Sequence, residues 1–191
     1  MINFIKKGLN RIGLSKRLLM AILDYSYNEI VTHIPVRFLR VAYLRIFNSN
    51  IHSSAVILMH TKILRFWRIK IDEDVVINQY CLLDCRTNKI IIGKHTDIGP
   101  YTRIWTLGHM PDSATHATSG GNVVIGHHVW ISSGVTILPG LNISDGTVVA
   151  SGAVVVKSTD MNDIIAGNPG VFKRKRDNQL TYRLDYNPIL L

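Results

Sequence analysis

Eight histidines are the side chains best suited to proton chemistry in this chain: His33, His52, His60, His95, His109, His116, His127 and His128. A neutral imidazole takes and returns a proton near pH 7 better than any other side chain, and it also ligates zinc. The two cysteines, Cys81 and Cys85, are too few for a disulfide framework. Their C-x3-C spacing fits neither a zinc nor a redox motif, so they read as small, partly buried residues. The question is which histidine the fold holds apart from the rest.

A six-residue period answers it. From Ile125 a branched apolar residue recurs at Ile131, Ile137, Ile143, Val149 and Val155. The same spacing appears at Ile92, Ile98 and Ile104, and again at Ile71, Ile77 and Leu83. On a helix, residues six apart fall on nearly opposite faces; in a chain that turns a corner every six residues they all point inward. Val129, Val135, Leu141, Thr147 and Ala153 supply a second inward position. Gly93, Gly99 and Gly126 follow the apolar residue, where a corner needs a permissive backbone. No helical periodicity competes between Ile71 and Asp160.

The period breaks twice. Leu83 to Ile92 contains a three-residue insertion, and Ile104 to Ile125 is out of phase. The second break, Gly108 to Asn122, is rich in His, Ser, Thr, Gly and Pro and reads as a loop thrown out of the repeat. His109 stands where the repeat ends and this loop begins, with Asp112 and His116 inside the loop. His95, His127 and His128 occupy ordinary corners. Asp84 precedes the first insertion, and its 21-residue offset to Trp105 puts it on the same edge as His109, where it binds a hydroxyl or shapes a turn.

These features resemble the hexapeptide-repeat acyltransferases, over about Ile51 to Gly170. Leu83 to Pro169 looks like the branch that O-acetylates sugars and polysaccharides. The matching strings are Ile104-Trp105-Thr106-Leu107-Gly108-His109, Val129-Trp130-Ile131 and Ile165-Ala166-Gly167-Asn168-Pro169. The resemblance implies an all-β solenoid, a left-handed parallel β-helix with a short N-terminal helical region and an extruded loop. The hand is a family property, since parallel crossovers are ordinarily right-handed. It implies acetyl-CoA as donor, no metal, a homotrimer, and a loop that reaches toward a neighbouring subunit. His109 matches the catalytic histidine, acting as general base in direct transfer without an acyl-enzyme. Asn78, Asp84, Asp112 and His116 are the implied acceptor-side residues; Trp130, Ser133, Ser151, Gly152, Lys157 and Arg174 are the implied donor-side residues. The chain departs from the pattern at Tyr80, where Asn is common, and at Val156, where Thr is common. Competing readings are N-acetylation of an amino sugar or antibiotic, a zinc carbonic anhydrase built from His95 and His127 or His128, and a scaffold without catalysis.

Charge divides the chain. Residues 1–70 hold 12 Lys and Arg against two acids, residues 71–170 hold five against nine, and residues 171–191 hold five against two. A uniformly basic nucleic-acid binder would not be so divided, so no nucleic-acid partner is expected. Residues 1–50 contain no hexads, so the repeat and the charge together give three regions: an N-terminal helical cap (1–50), the repeat domain (51–170) and a basic tail (171–191). Leu18, Leu19, Ile22 and Leu23 predict one helix. Val36, Leu39, Tyr43 and Ile46 predict a second, beginning near Pro35 with Arg37, Arg40 and Arg45 off its apolar stripe. The helices cap one end of the coil, or rest on an anionic membrane from which a lipid-linked saccharide is reached. With no signal-peptide pattern and no long apolar run, the expectation is a cytoplasmic protein, peripheral to membrane on the second reading.

Overall fold

The computed structural model describes residues 16–190. The chain winds through short strands three at a time. The first coil is β1 (Val56–Ile57), β2 (Lys62–Leu64) and β3 (Ile69–Ile71), and the second is β4 (Val76–Ile77), β5 (Leu82–Asp84) and β6 (Ile90–Ile92). In the third, β7 (Asp97–Ile98) and β8 (Arg103–Trp105) are followed by a hairpin, β9 (Leu107–His109) and β10 (Thr118–Gly120), before β11 (Val123–Ile125) closes the coil. Next come β12 (Trp130–Ile131), β13 (Thr136–Ile137) and β14 (Asn142–Ile143), and then β15 (Val148–Val149) and β16 (Val154–Val155). The sheet ends with β17 (Asp163–Ala166) and β18 (Val171–Lys175). Apart from the β9–β10 hairpin and β18, each strand pairs in parallel with its counterpart one coil away, giving three sheets. The first face carries β1, β4, β7, β12, β15 and β17, the second β2, β5, β8, β13 and β16, and the third β3, β6, β11 and β14. The edges between faces one and two, two and three, and three and one are the first, second and third edges below.

All twelve six-spaced residues point inward and are no more than 1% exposed. The expected role of Gly93, Gly99 and Gly126 needs correcting. None has positive φ; a Cβ on each would meet backbone of the next coil at 2.7 Å. They are small because coils approach closely. The left-handed corners belong to other residues: His60, Tyr80, His95, Tyr101 and His128 among them, with φ between 54° and 62°.

The two expected helices are present as α1 (Lys16–Glu29) and α2 (Arg37–Phe47). They cap the first coil through polar side chains, one per face. Arg40 Nε donates to Ile57 O on face one. Asn28 bonds both Ile63 O and Ile63 N on face two. Asn48 Nδ2 donates to Phe66 O and Ile69 O at 2.8 Å where face three begins. An end coil exposes unpaired backbone groups that must be satisfied. This overturns the expected stripe on α2: Arg40 is fully buried, whereas Leu39 and Ile46 are 41% and 53% exposed. Burial holds the Arg40 pKa below the ordinary arginine value.

At the other end β18 folds back antiparallel on β17. Beyond it, Arg176 donates to His128 O and Gly146 O, Leu184 packs on Val56, Leu58 and Val76, and Leu190 bridges to Val36. The tail thus runs the length of the coil back to the start of α2.

Candidate functional site

The hairpin grows directly from β8 on the second edge. Its strands pair His109 with Thr118 and Leu107 with Gly120. Its base is pinned by Asn88 Nδ2 donating to Thr106 O and by the Gly121 amide on the same oxygen. The tip, Met110 to Ala117, is a turn closed by Met110 N–H to Ala117 O and by the Ala117 amide to Ser113 Oγ. His116 sits in that turn at φ 51°. Its backbone oxygen lies 3.1 Å from His109 Nδ1. A carbonyl only accepts, so Nδ1 carries the proton and Nε2 is left as the basic nitrogen. The two imidazoles stack at 3.8 Å with 13° between planes, which fixes the ring. His109, Met110, Pro111, Asp112, Ser113 and Ser119 line an open cleft of about 410 Å³.

Asp84 does share this edge, in register with Trp105 across β5 and β8. It is fully buried, and both carboxylate oxygens are held by Arg86 at 2.9 Å. Arg86, half exposed, is the group that meets solvent; its hydrogen bonds to the Asp84 carboxylate, and then that group's charge, raise its pKa against the opposing effect of partial burial. Thr106 Oγ1 donates to Asp84 O at 2.6 Å and ties this pair to the hairpin's root. Arg86 was missed because a lone arginine in an insertion carries no signal until its carboxylate partner is known to be buried.

The remaining expected residues lie elsewhere on the coil. Asn78 is on the first edge, its amide donating to Asp97 Oδ1 and Ile98 O at 3.0 Å. Burial raises the Asp97 pKa, and the Asn78 bond partly offsets it. Ser133, Ser151 and Gly152 continue that edge, with Gly152 N–H bonding Ser133 O. Trp130 points outward from face one, 48% exposed. Lys157 lines a cleft of about 360 Å³ at the end of the coil with Phe172 and Pro169, and Arg174 is exposed on β18. One chain therefore brings His109, Asp112, His116 and the Asp84–Arg86 pair to the second edge. It leaves Asn78 and the serines across face two.

His95 and His128 stand together on the third edge, ring centroids 5.0 Å apart, but His127 Nδ1 accepts from the Lys94 amide. Among the described residues no three His, Cys, Asp or Glu side chains cluster as metal ligands. Cys81 and Cys85 are buried, and burial pushes both thiols up to about 12. Sequence reading also missed an aromatic ladder on the first edge. His33, His60, Tyr80 and Tyr101 follow one another at 4.8, 4.8 and 5.1 Å, the last two contacts near parallel. The spacing of His60, Tyr80 and Tyr101, one per coil, was the signal available for it.

No protein-family model matches the chain, and no curated protein matches it in sequence. Solved structures do. A maltose O-acetyltransferase from Clostridium difficile 630 superposes with TM-score 0.71 at 24% identity, covering 85% of this chain and 87% of that one. A galactoside acetyltransferase in complex with coenzyme A gives 0.73 at 22%, covering 92% and 88%. A hexapeptide-repeat-containing acetyltransferase from Vibrio cholerae O1 biovar eltor, complexed with acetyl coenzyme A, gives 0.69 at 22%, covering 87% and 92%. At these identities the likeness is one of fold: this chain has the fold of the hexapeptide-repeat acetyltransferases.

Proposed function

We propose that the protein is an acetyl-CoA-dependent O-acetyltransferase acting on a sugar or polysaccharide hydroxyl, built on a left-handed β-helix. The observation that carries this is the His109–His116 arrangement: a carbonyl holds Nδ1–H and leaves Nε2 as the basic nitrogen of a histidine that lines an open cleft. His109 Nε2 removes the acceptor's hydroxyl proton as the oxygen attacks the thioester carbonyl carbon. The new C–O bond forms, the C–S bond breaks, and the imidazolium returns its proton to the departing thiolate. No acyl-enzyme intervenes. A backbone N–H supplies oxyanion stabilisation.

On this reading the acceptor meets Asp112, His116 and the Arg86 guanidinium that Asp84 holds in place. The donor arm lies along the first edge at Ser133, Ser151 and Gly152, where the backbone is approachable. Trp130 flanks it, and Lys157 and Arg174 take its phosphates. Because Asn78, Ser133, Ser151 and Gly152 lie across face two from His109, one chain does not assemble the whole site. A homotrimer, in which the hairpin of one copy faces the first edge of the next, would bring the halves together.

The test is release of free thiol from acetyl-CoA in the presence of free and lipid-linked saccharides, followed by the stability of the product. Once residual acetyl-CoA is removed, an O-acetyl ester is cleaved by alkaline hydroxylamine, and an acetamide is not. Acceptor-dependent thiol release with a hydroxylamine-labile product supports the proposal. A resistant product assigns N-acetylation, and no release with any saccharide removes the reading.

A further inference from the structure

The helical cap carries a surface that acyl transfer does not use. On α1, Ile22 and Tyr25 face outward at 48% and 65% exposure; on α2, Phe38, Leu39 and Ile46 do so at 61%, 41% and 53%. Ala21 and Ala42 lie among them and are also exposed. The inward side is already filled, with Tyr27, Val41 and Leu44 packed into the core beside the capping polar groups. Asn28, Arg40 and Asn48 are turned inward to satisfy the end coil, so apolar residues of both helices remain outside.

Charge accompanies this face. The first 70 residues contain only two acids, Asp24 and Glu29, against 12 Lys and Arg. Both acids are turned to the coil: Asp24 Oδ1 accepts the Arg65 amide at 2.6 Å, and Glu29 pairs with Lys62 at 2.7 Å. Lys16 and Arg17 are exposed at the start of α1, and Arg45, also exposed, is tied through Nε to Ile51 O. A second copy of so basic a face would repel its like, whereas a negatively charged bilayer complements it.

We propose that the outer face of α1 and α2 is a docking surface for an anionic lipid bilayer, with Tyr25, Phe38 and Ile46 entering the interface and the basic residues meeting headgroups. An amphipathic basic surface of this kind lies in the plane of the membrane and does not cross it. Among the described residues no helix is long and apolar enough to span. The proposal stands independently of acyl transfer.

The full chain is sedimented with phosphatidylcholine vesicles, with or without about 30 mol % phosphatidylglycerol, at low and high salt. Binding to the anionic vesicles alone, weakened by salt, is expected. Phe38→Ser with Ile46→Ser should lower the partition coefficient by about tenfold or more with melting unchanged. If that variant does not fold, Lys16→Glu with Arg17→Glu must show the same selective loss. Equal binding to neutral vesicles, or none to anionic ones, overturns the proposal. So does sedimentation velocity in which the serine variant loses an oligomer that the parent forms, because the face would then belong to a second copy.

Discussion

The first edge of the coil is two edges in one. In its first half the left-handed corners are His60, Tyr80 and Tyr101; in its second half they are Gly134 and Gly152. The backbone is the same, with φ from 61° to 71° throughout. A side chain in this conformation costs about 1–2 kcal/mol, and a stacked aromatic pair returns about 0.5–1.5 kcal/mol. The rings therefore roughly offset the strain of their own corners. The glycines need no such offset, and a Cβ at either would meet nothing within 4 Å. An edge repeated coil by coil can thus be closed by rings or left open for a ligand with little change in stability. The proposed donor arm uses the open half.

The largest expected effect lies on the opposite edge and separates chemistry from binding. His109→Ala should lower turnover by about 10² to 10⁴, the usual worth of a positioned general base. Acetyl-CoA binding, measured by calorimetry, should be kept, since Ser133, Ser151 and Lys157 are untouched. A variant that keeps most of its kcat would move the base elsewhere, His116 being next.

Extending the rings into the open half should attack binding instead. Gly152→Tyr places a ring at a corner geometry that Tyr101 already adopts, so the fold should survive. The KM for acetyl-CoA should rise by about tenfold or more while kcat changes less, as for lost uniform binding. An unchanged KM would mean the donor does not use this edge.

Opening the closed half is the converse. Tyr80→Gly relieves one strained corner but removes two ring contacts, at 4.8 and 5.1 Å. A net loss of about 1–2 kcal/mol is expected by denaturant titration, with acetyl-CoA KM unaltered. A stabilised variant would show that the ladder does not offset its own strain.

The smallest effect concerns the third edge, where His128 packs against Tyr182 of the tail. Burial, and then His95, His127 and Arg176 nearby, lower its pKa below 6.5, against a weaker opposing pull from Asp145. Folding therefore favours the neutral ring. This contribution is intact above the unfolded value and is lost as pH falls through the folded one. Melting temperature should decline from about pH 7 to 5, and His128→Asn, which tolerates the left-handed corner, should flatten that decline. Identical profiles would assign the acid sensitivity to other groups.

The six-residue period alone told which residues line the core, because inward positions must be apolar and every coil repeats the demand. It also marked the hairpin, because an extruded segment interrupts the period, and so isolated His109 from seven other histidines. Local sequence placed α1 and α2 but misjudged which side of α2 is buried. Arg40 goes inside because of carbonyls that a helix cannot know about until it lies on the end of the coil. For the same reason Asp84 looked available for a ligand, although only the register of β5 and β8 buries it against Arg86. His109 needed a carbonyl to fix its tautomer, and nothing in its spacing from His116 distinguishes a backbone oxygen from a side chain. Periodicity is a property of the chain and can be read along it. Which polar group meets which depends on distances between coils, and those exist only once the chain has wound.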